Sequence, residues 1–150
     1  MARGTRPHVL HTAADVPPAL VDELIGDMRA RMSLSPEARR CEGLRFAFEL
    51  TDVDVAPALY SVGKGGRVTL RRGDTEGATF SFRAGAQAFD DVLQGRGNGF
   101  GALMSRHISM RGSLLHIRGI LRMLPAVTRA WTEARTALIE RHSDRYEFRF

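Results

Sequence analysis

The chain has 150 residues, 43% hydrophobic and 26% charged, a balance that suits one globular domain with a real core and excludes a disordered or fibrous chain. A single cysteine, Cys41, excludes an internal disulfide framework and points to a reducing cytoplasm. No stretch approaches the ~20 apolar residues of a membrane span, and the N-terminus lacks the apolar run of a signal peptide. Net charge is +5, nearly all of it from arginines spread along the chain, which reads as a solvated basic surface rather than one dedicated anion site.

In chain order, residues 1–14 read as an N-terminal tail. Val16, Leu20, Leu24, Met28 and Met32 then recur every four residues, the apolar stripe of a helix. Asp15 is its expected N-cap, with Pro17 or Pro18 in the first turn. Ser35-Pro36 opens a second short helical turn that Gly43 stops. From Leu44 the period becomes two. Phe46, Phe48 and Leu50 face one way, Arg45 and Glu49 the other. A hairpin turns at "GKGG", residues 63–66, and its second strand alternates Val68 and Leu70 with Arg67, Thr69 and Arg71. "ATFSFRAG" sets Phe80 and Phe82 against Thr79, Ser81 and Arg83; "HISMRG" presents Ile108 and Met110.

These five short strands, each with one apolar face, predict a largely antiparallel sheet, dry on one side and wet on the other. Helices must cover the dry side. The candidates are the N-terminal helix, "AGAQAFDDVLQG" with Phe89, Val92 and Leu93 on one side, and a long segment from Leu114. In that segment Ile117, Ile120, Leu121, Leu124, Val127, Trp131, Ala134 and Leu138 keep helical spacing, and Pro125 predicts a kink or split. The closing "RYEFRF" (domain boundary 144–150, an aromatic tail) reads as an extra edge strand, a dimer arm or a flap.

Motifs for chemistry are weak. Gly97-Asn98-Gly99-Phe100-Gly101-Ala102 fits the dinucleotide spacing, but it follows a helix and no acid occurs in the next twenty residues, so that site is excluded. His8 and His11 lie three apart with no third ligand near, so no metal is expected. Cys41 follows Arg39 and Arg40, which would lower a thiol pKa, although a half-buried small residue is the simpler reading. No nucleophile elbow is present, and the aromatics of the strands sit on apolar faces rather than on a stacking platform for bases. No cofactor is expected.

From Phe46 to Leu124 the sequence resembles the sterol carrier protein type 2 family. The match lies in the order of "RFAFELTD", the hairpin "YSVGKGGRVTLRRGD", "ATFSFRAG", the helix "AQAFDDVLQGR" and "GFGALMSRHISMRGSLLHIRGILRML". The helix end "LQGR" and the basic strand "SRHISMRGS" are its most specific pieces, with Arg106 and Arg111 where the family favours lysine and Gly112 kept. The resemblance implies an α+β fold with a five-stranded mixed sheet and helices over one face, a lipid-binding domain over residues 15–143. It also implies a sterol, fatty acyl chain or similar lipid held in a tunnel between sheet and helices. Peroxisomal members end in a Ser-Lys-Leu-like signal, whereas this chain ends in Phe148, Arg149 and Phe150, so peroxisomal import is not expected.

Three functions follow as expectations. The first is a lipid carrier without catalytic residues. Its ligand-binding wall is drawn from Phe80, Phe82, Phe89, Leu93, Phe100, Leu103, Met104, Ile108, Met110, Leu114, Ile117, Ile120, Leu121 and Leu124, with core packing as the competing role for each. The second is an accessory or catalytic protein for a hydrophobic biosynthetic intermediate, with His107, His116, Asp90 and Asp91 as acid/base candidates. The third is a binder of nucleic acid or anionic membrane through Arg67, Arg71 and Arg83 on the polar sheet face, with Arg72 at its edge. The expected partner is a hydrophobic small molecule; transient contact with an anionic membrane and a homodimer are further options, and no specific nucleic acid is expected.

Overall fold

A computed structural model describes residues 6–95 and 108–150. The chain begins with β1 (His8–Leu10), a 3-10 turn at Ala13–Asp15, α1 (Pro18–Ser33) and the single-turn α2 (Pro36–Arg39). Then come β2 (Arg45–Leu50), β3 (Ala58–Val62), β4 (Val68–Arg72), β5 (Phe80–Ala84) and α3 (Ala86–Leu93). Beyond the undescribed segment lie β6 (Ser109–Gly112), a 3-10 turn at Leu114–His116, α4 (Ile117–His142) and β7 (Tyr146–Phe148).

The main sheet has five strands in the order β4-β3-β2-β5-β6. β2 and β5 run parallel and the other pairs antiparallel, so the sheet is mixed. The period-two pattern sets its faces. Phe46 pairs with Tyr60 and Phe80, and Tyr60 with Leu70, so these side chains share the side that α1, α3 and α4 cover. All five residues of the N-terminal stripe, Val16 to Met32, are buried, with Met28 and Met32 at 1% and 0% exposure.

Local chemistry places the helices. Pro18 opens α1 and Pro17 stands at its N-cap position. Asp15 does not cap α1. Its carboxylate accepts from the backbone N–H groups of His11 and Thr12 and holds the preceding turn. Ser35 caps α2 by accepting from the Ala38 N–H. α3 takes its cap from a distance, because Asp52, just after β2, accepts from the Ala86 N–H at 2.9 Å. The "GKGG" turn closes against α2: Gly66 has φ +82°, and a Cβ there would lie 2.8 Å from the Arg39 nitrogen.

Three expectations change. The outer sheet face is not wet at its centre, because Leu59 and Ala47 are each only 2% exposed there. The β4–β5 connection, residues 73–79, must pass β3 and β2, and it crosses on that face. Arg71 donates to the Glu76 carbonyl, and the Thr79 N–H donates to the Arg45 carbonyl. α4 does not split at Pro125; one helix runs from Ile117 to His142, since only one intrahelical donor is lost there. The two chain ends also pair with each other. β1 and β7 form a parallel two-stranded ribbon, His8 opposite Tyr146 and Leu10 opposite Phe148, and Leu10 is fully buried. Residues 8–10 are therefore part of the packed structure.

Candidate functional site, an apolar cavity between sheet and helices

Where β2, β5 and β6 face α3 and the first half of α4, the core is hollow. The cavity holds about 410 Å³, within the ~300–1,000 Å³ of ligand sites. Its floor is aromatic. Phe48 stacks on Phe82 with ring centroids 5.5 Å apart and meets Phe89 edge-on at 5.4 Å. This follows from register, because Phe48 of β2 pairs with Phe82 of β5, which pairs with Met110 of β6. α3 adds Val92 and Leu93, and Gly95 follows. α4 adds Ile117, Ile120, Leu121, Leu124, Val127 and Thr128, one face at helical spacing. Ile108, 3% exposed, completes the lining.

Among the described residues Thr128 is the one lining residue with a polar side chain, and its hydroxyl donates to the Leu124 carbonyl at 2.9 Å. Among the described residues the cavity therefore offers no side-chain charge and no uncommitted side-chain donor to a ligand. Its surface can bury apolar matter and little else.

Of the fourteen expected wall residues, Phe82, Phe89, Leu93, Ile108, Met110, Ile117, Ile120, Leu121 and Leu124 are brought together around this space. Phe80 is not among them. Its ring packs over Gly112, where a Cβ would lie 2.3 Å from the Phe80 Cδ1, so Phe80 is solid core at 1% exposure. Leu114 is not among them either: it stands in the turn before α4, 76% exposed. Phe100, Leu103 and Met104 lie outside the described residues. Phe48, Val92, Gly95, Val127 and Thr128 line the cavity without having been expected in its wall. Phe48, Val92 and Val127 carried the right signal, an apolar residue on the correct face, but nothing local distinguished wall from filling.

The acid/base candidates lie elsewhere. Asp90 is buried, 1% exposed, but outside the lining. Its Oδ1 accepts from Trp131 Nε1 at 2.8 Å and from Arg135 Nε at 3.0 Å. Arg135 in turn donates to the Phe150 carbonyl and sits over the Phe150 ring, so this network ties α3, α4 and the C-terminal strand together. Asp91 bonds Gln87, His116 is exposed, and His107 lies outside the described residues. Burial pushes the Cys41 thiol pKa up, in keeping with a small buried residue, the simpler of its two readings.

The basic sheet face is largely neutralised. Arg71 is held by the Asp74 and Glu76 carbonyls, and Arg83 pairs with Glu49. Arg72 points to the helical side and pairs with Asp22 of α1 at 2.7 Å. Arg67 is exposed. Among the described residues no group of three or more His, Cys, Asp or Glu side chains is placed to hold a metal, and no helix is long and apolar enough to cross a membrane.

No protein-family model and no curated protein matches the chain. Solved structures do. A ubiquinone synthesis protein, UbiJ-SCP2, superposes with a TM-score of 0.56 at 12% identity over 75% of this chain and 92% of that one. The sterol carrier protein domain 2 of Helicoverpa armigera gives 0.55 at 15% identity over 75% and 89%. The apo form of sterol carrier protein 2 from Yarrowia lipolytica gives 0.52 at 13% identity over 74% and 91%. The architecture described above, five mixed strands under helices on one face, is the sterol carrier protein 2 fold.

Proposed function

On that fold, we propose that the chain is a cytoplasmic lipid-binding protein that holds the apolar part of a sterol, fatty acyl chain or similar ligand in the cavity. The observation that carries this reading is a space of about 410 Å³ in whose wall, among the described residues, one side chain is polar and is committed to the backbone. The driving force is burial, about 0.8 kcal/mol per methylene. Association costs about 4 kcal/mol at the low end, so roughly five buried methylenes only break even. A useful ligand is therefore a long chain or a polycycle. The nine expected wall residues that surround the space are the proposed contacts, joined by Phe48, Val92 and Val127.

A second reading has one observation in its favour. One of the similar structures is named a ubiquinone synthesis protein, which supports an isoprenoid biosynthetic intermediate as the cargo. The chain would then shelter the intermediate for an enzyme that acts on it, since Asp90, Asp91 and His116 all lie off the cavity wall.

The test is titration with a fluorescent fatty acid, with native mass spectrometry of the protein as isolated to identify what it carries. Saturable binding at one ligand per chain is expected, weakened about tenfold or more by Leu121→Trp or Met110→Trp, which fill the space. Absence of stoichiometric binding for acyl chains, sterols and isoprenoid quinones alike would sink the proposal.

A further inference from the structure

α4 lines the cavity with six residues, and five of them are apolar: Ile117, Ile120, Leu121, Leu124 and Val127. Thr128 breaks that pattern. Valine has the same branched shape and a similar helix propensity, so building α4 does not call for a hydroxyl at this position. The bond to the Leu124 carbonyl does not call for one either, because a side chain that bonds back to its own helix slightly destabilises it.

A threonine hydroxyl has one proton to donate and two lone pairs that accept. The Thr128 proton is given to the Leu124 carbonyl, and no described group donates to the oxygen in return. Thr128 therefore offers the cavity an acceptor, in a wall that, among the described residues, holds no uncommitted side-chain donor. A hydroxyl on the ligand matches that acceptor. An ether or carbonyl oxygen does not, and an ammonium group meets no carboxylate in the described wall to balance its charge.

Position decides which end of a ligand is read. Met110 and Leu121 line the cavity and are 40% and 46% exposed, so the mouth lies between the β6 edge and the start of α4. Thr128 stands about 10 Å further along the helix, beside Val127, which is 1% exposed. The end of a ligand that enters first is the end that reaches Thr128, while the trailing end stays at the water.

We propose that Thr128 is a specificity-determining residue and that the cavity takes apolar alcohols, with the hydroxyl at the end that enters first. Two kinds of molecule share this chemistry, a chain with a terminal hydroxyl and a polycycle with a ring hydroxyl. The Thr128 oxygen accepts from that hydroxyl and offsets the cost of taking it out of water. The proposal rests on the lipid-binding reading of the cavity.

The experiment is displacement of the fluorescent fatty acid from the full chain, as wild type, Thr128→Val and Thr128→Ser. The competitors are palmitic acid, its ω-hydroxy and ω-methoxy derivatives, cholesterol and the corresponding 3-ketone. Thr128→Val is expected to weaken at least one of the two alcohols about fivefold or more. It should leave palmitic acid, the methoxy acid and the ketone within about twofold, since their leading ends make no bond to lose. Thr128→Ser, which keeps the hydroxyl, should restore the alcohol. The alcohol that responds, chain or polycycle, tells the two sources apart. Thr128→Val binding both alcohols like the wild type overturns the proposal. So does an equal loss for alcohols and palmitic acid, which would make Thr128 a packing residue only. Probe and palmitic acid binding without any response of the alcohols overturns the role of Thr128 alone, whereas absence of binding for the probe and every competitor overturns the reading of the cavity as well.

Discussion

Under α1, the face of the sheet formed by β3 and β4 is filled. Met28 and Met32 are almost completely buried there, and the Tyr60 hydroxyl reaches the Ile25 carbonyl of α1 at 2.8 Å. The void left beside Ile25, Met28 and Tyr60 is about 20 Å³, room for one water. Under α3 and the first half of α4, the same face of β2, β5 and β6 encloses about 410 Å³. Both ends have the same alternation in their strands and the same apolar stripes in their helices. They differ in how the space between sheet and cover is filled. Flexible methionines and a buried phenol fill the first gap, while in the second the Phe48, Phe82 and Phe89 rings pack on one another and leave the far side to α4 unfilled. The filled end supplies stability, and the hollow end gives some of it up for a binding space.

The largest expected effect tests that division. Met28→Ala removes a fully enclosed side chain and should destabilise by about 3 kcal/mol, with probe affinity unchanged within about twofold. Leu124→Ala deletes a side chain that already borders empty space, so about 1 kcal/mol is expected, with a clear loss of probe affinity. Urea unfolding and fatty-acid titration on both variants decide the matter. Equal stability losses would erase the distinction between the two ends.

Asp90 stands between the two ends and should come next in size. Asp90→Asn keeps the shape but removes the charge that Trp131 and Arg135 address. A loss of about 2 kcal/mol is expected because the Arg135 guanidinium loses its partner in a mostly buried setting. Probe affinity should hold. If affinity fell while stability stayed, Asp90 would belong to the hollow end after all.

How much of this was legible follows from what a one-dimensional pattern can encode. Alternation gave each strand its faces, so Phe46, Phe82 and Val68 were assigned correctly, and the four-residue stripe of α1 was readable from Val16 to Met32. The pattern says which way a side chain points but not what stands opposite it. Phe80 and Phe82 look alike in sequence. One lies across from Gly112 and fills its notch; the other lies across from Met110 and faces the cavity. Leu59 lies on the face of the sheet expected to be wet, and the three-dimensional crossing of residues 73–79 on that face accompanies its burial. The pairing of β1 with β7 joins segments more than 130 residues apart, as the His8–Tyr146 register shows, and no local signal records it.

Tyr60→Phe sharpens the filled end at smaller scale. The hydroxyl is buried, and desolvation holds the phenol far above its ordinary pKa, so it stays a neutral donor at any working pH. Losing its bond to the Ile25 carbonyl should cost about 1 kcal/mol in a urea melt, because that carbonyl sits in a helix and retains other means of satisfaction. An unchanged midpoint would mean that α1 is seated by its methionines alone.

The smallest expected effect concerns the ion pair that fastens α2 to α4. The Arg129 guanidinium bonds Glu37 and holds its carboxyl below the usual 4.5. Between the folded and unfolded values, the unfolded chain binds more protons, so stability rises with pH across that window. The contribution is complete above about pH 4.5 and is lost as pH falls through the lowered folded value. Because both side chains are partly exposed, its size is that of a surface pair, about 0.2–1 kcal/mol. Glu37→Gln should therefore be slightly less stable than the wild type at pH 7, with the gap closing as pH falls below about 4.5, in paired urea melts at each pH. Curves that stayed parallel down to pH 3 would show that the pair fastens nothing, and that α2 is held instead by the Ser35 cap and the close approach of Gly66 to Arg39.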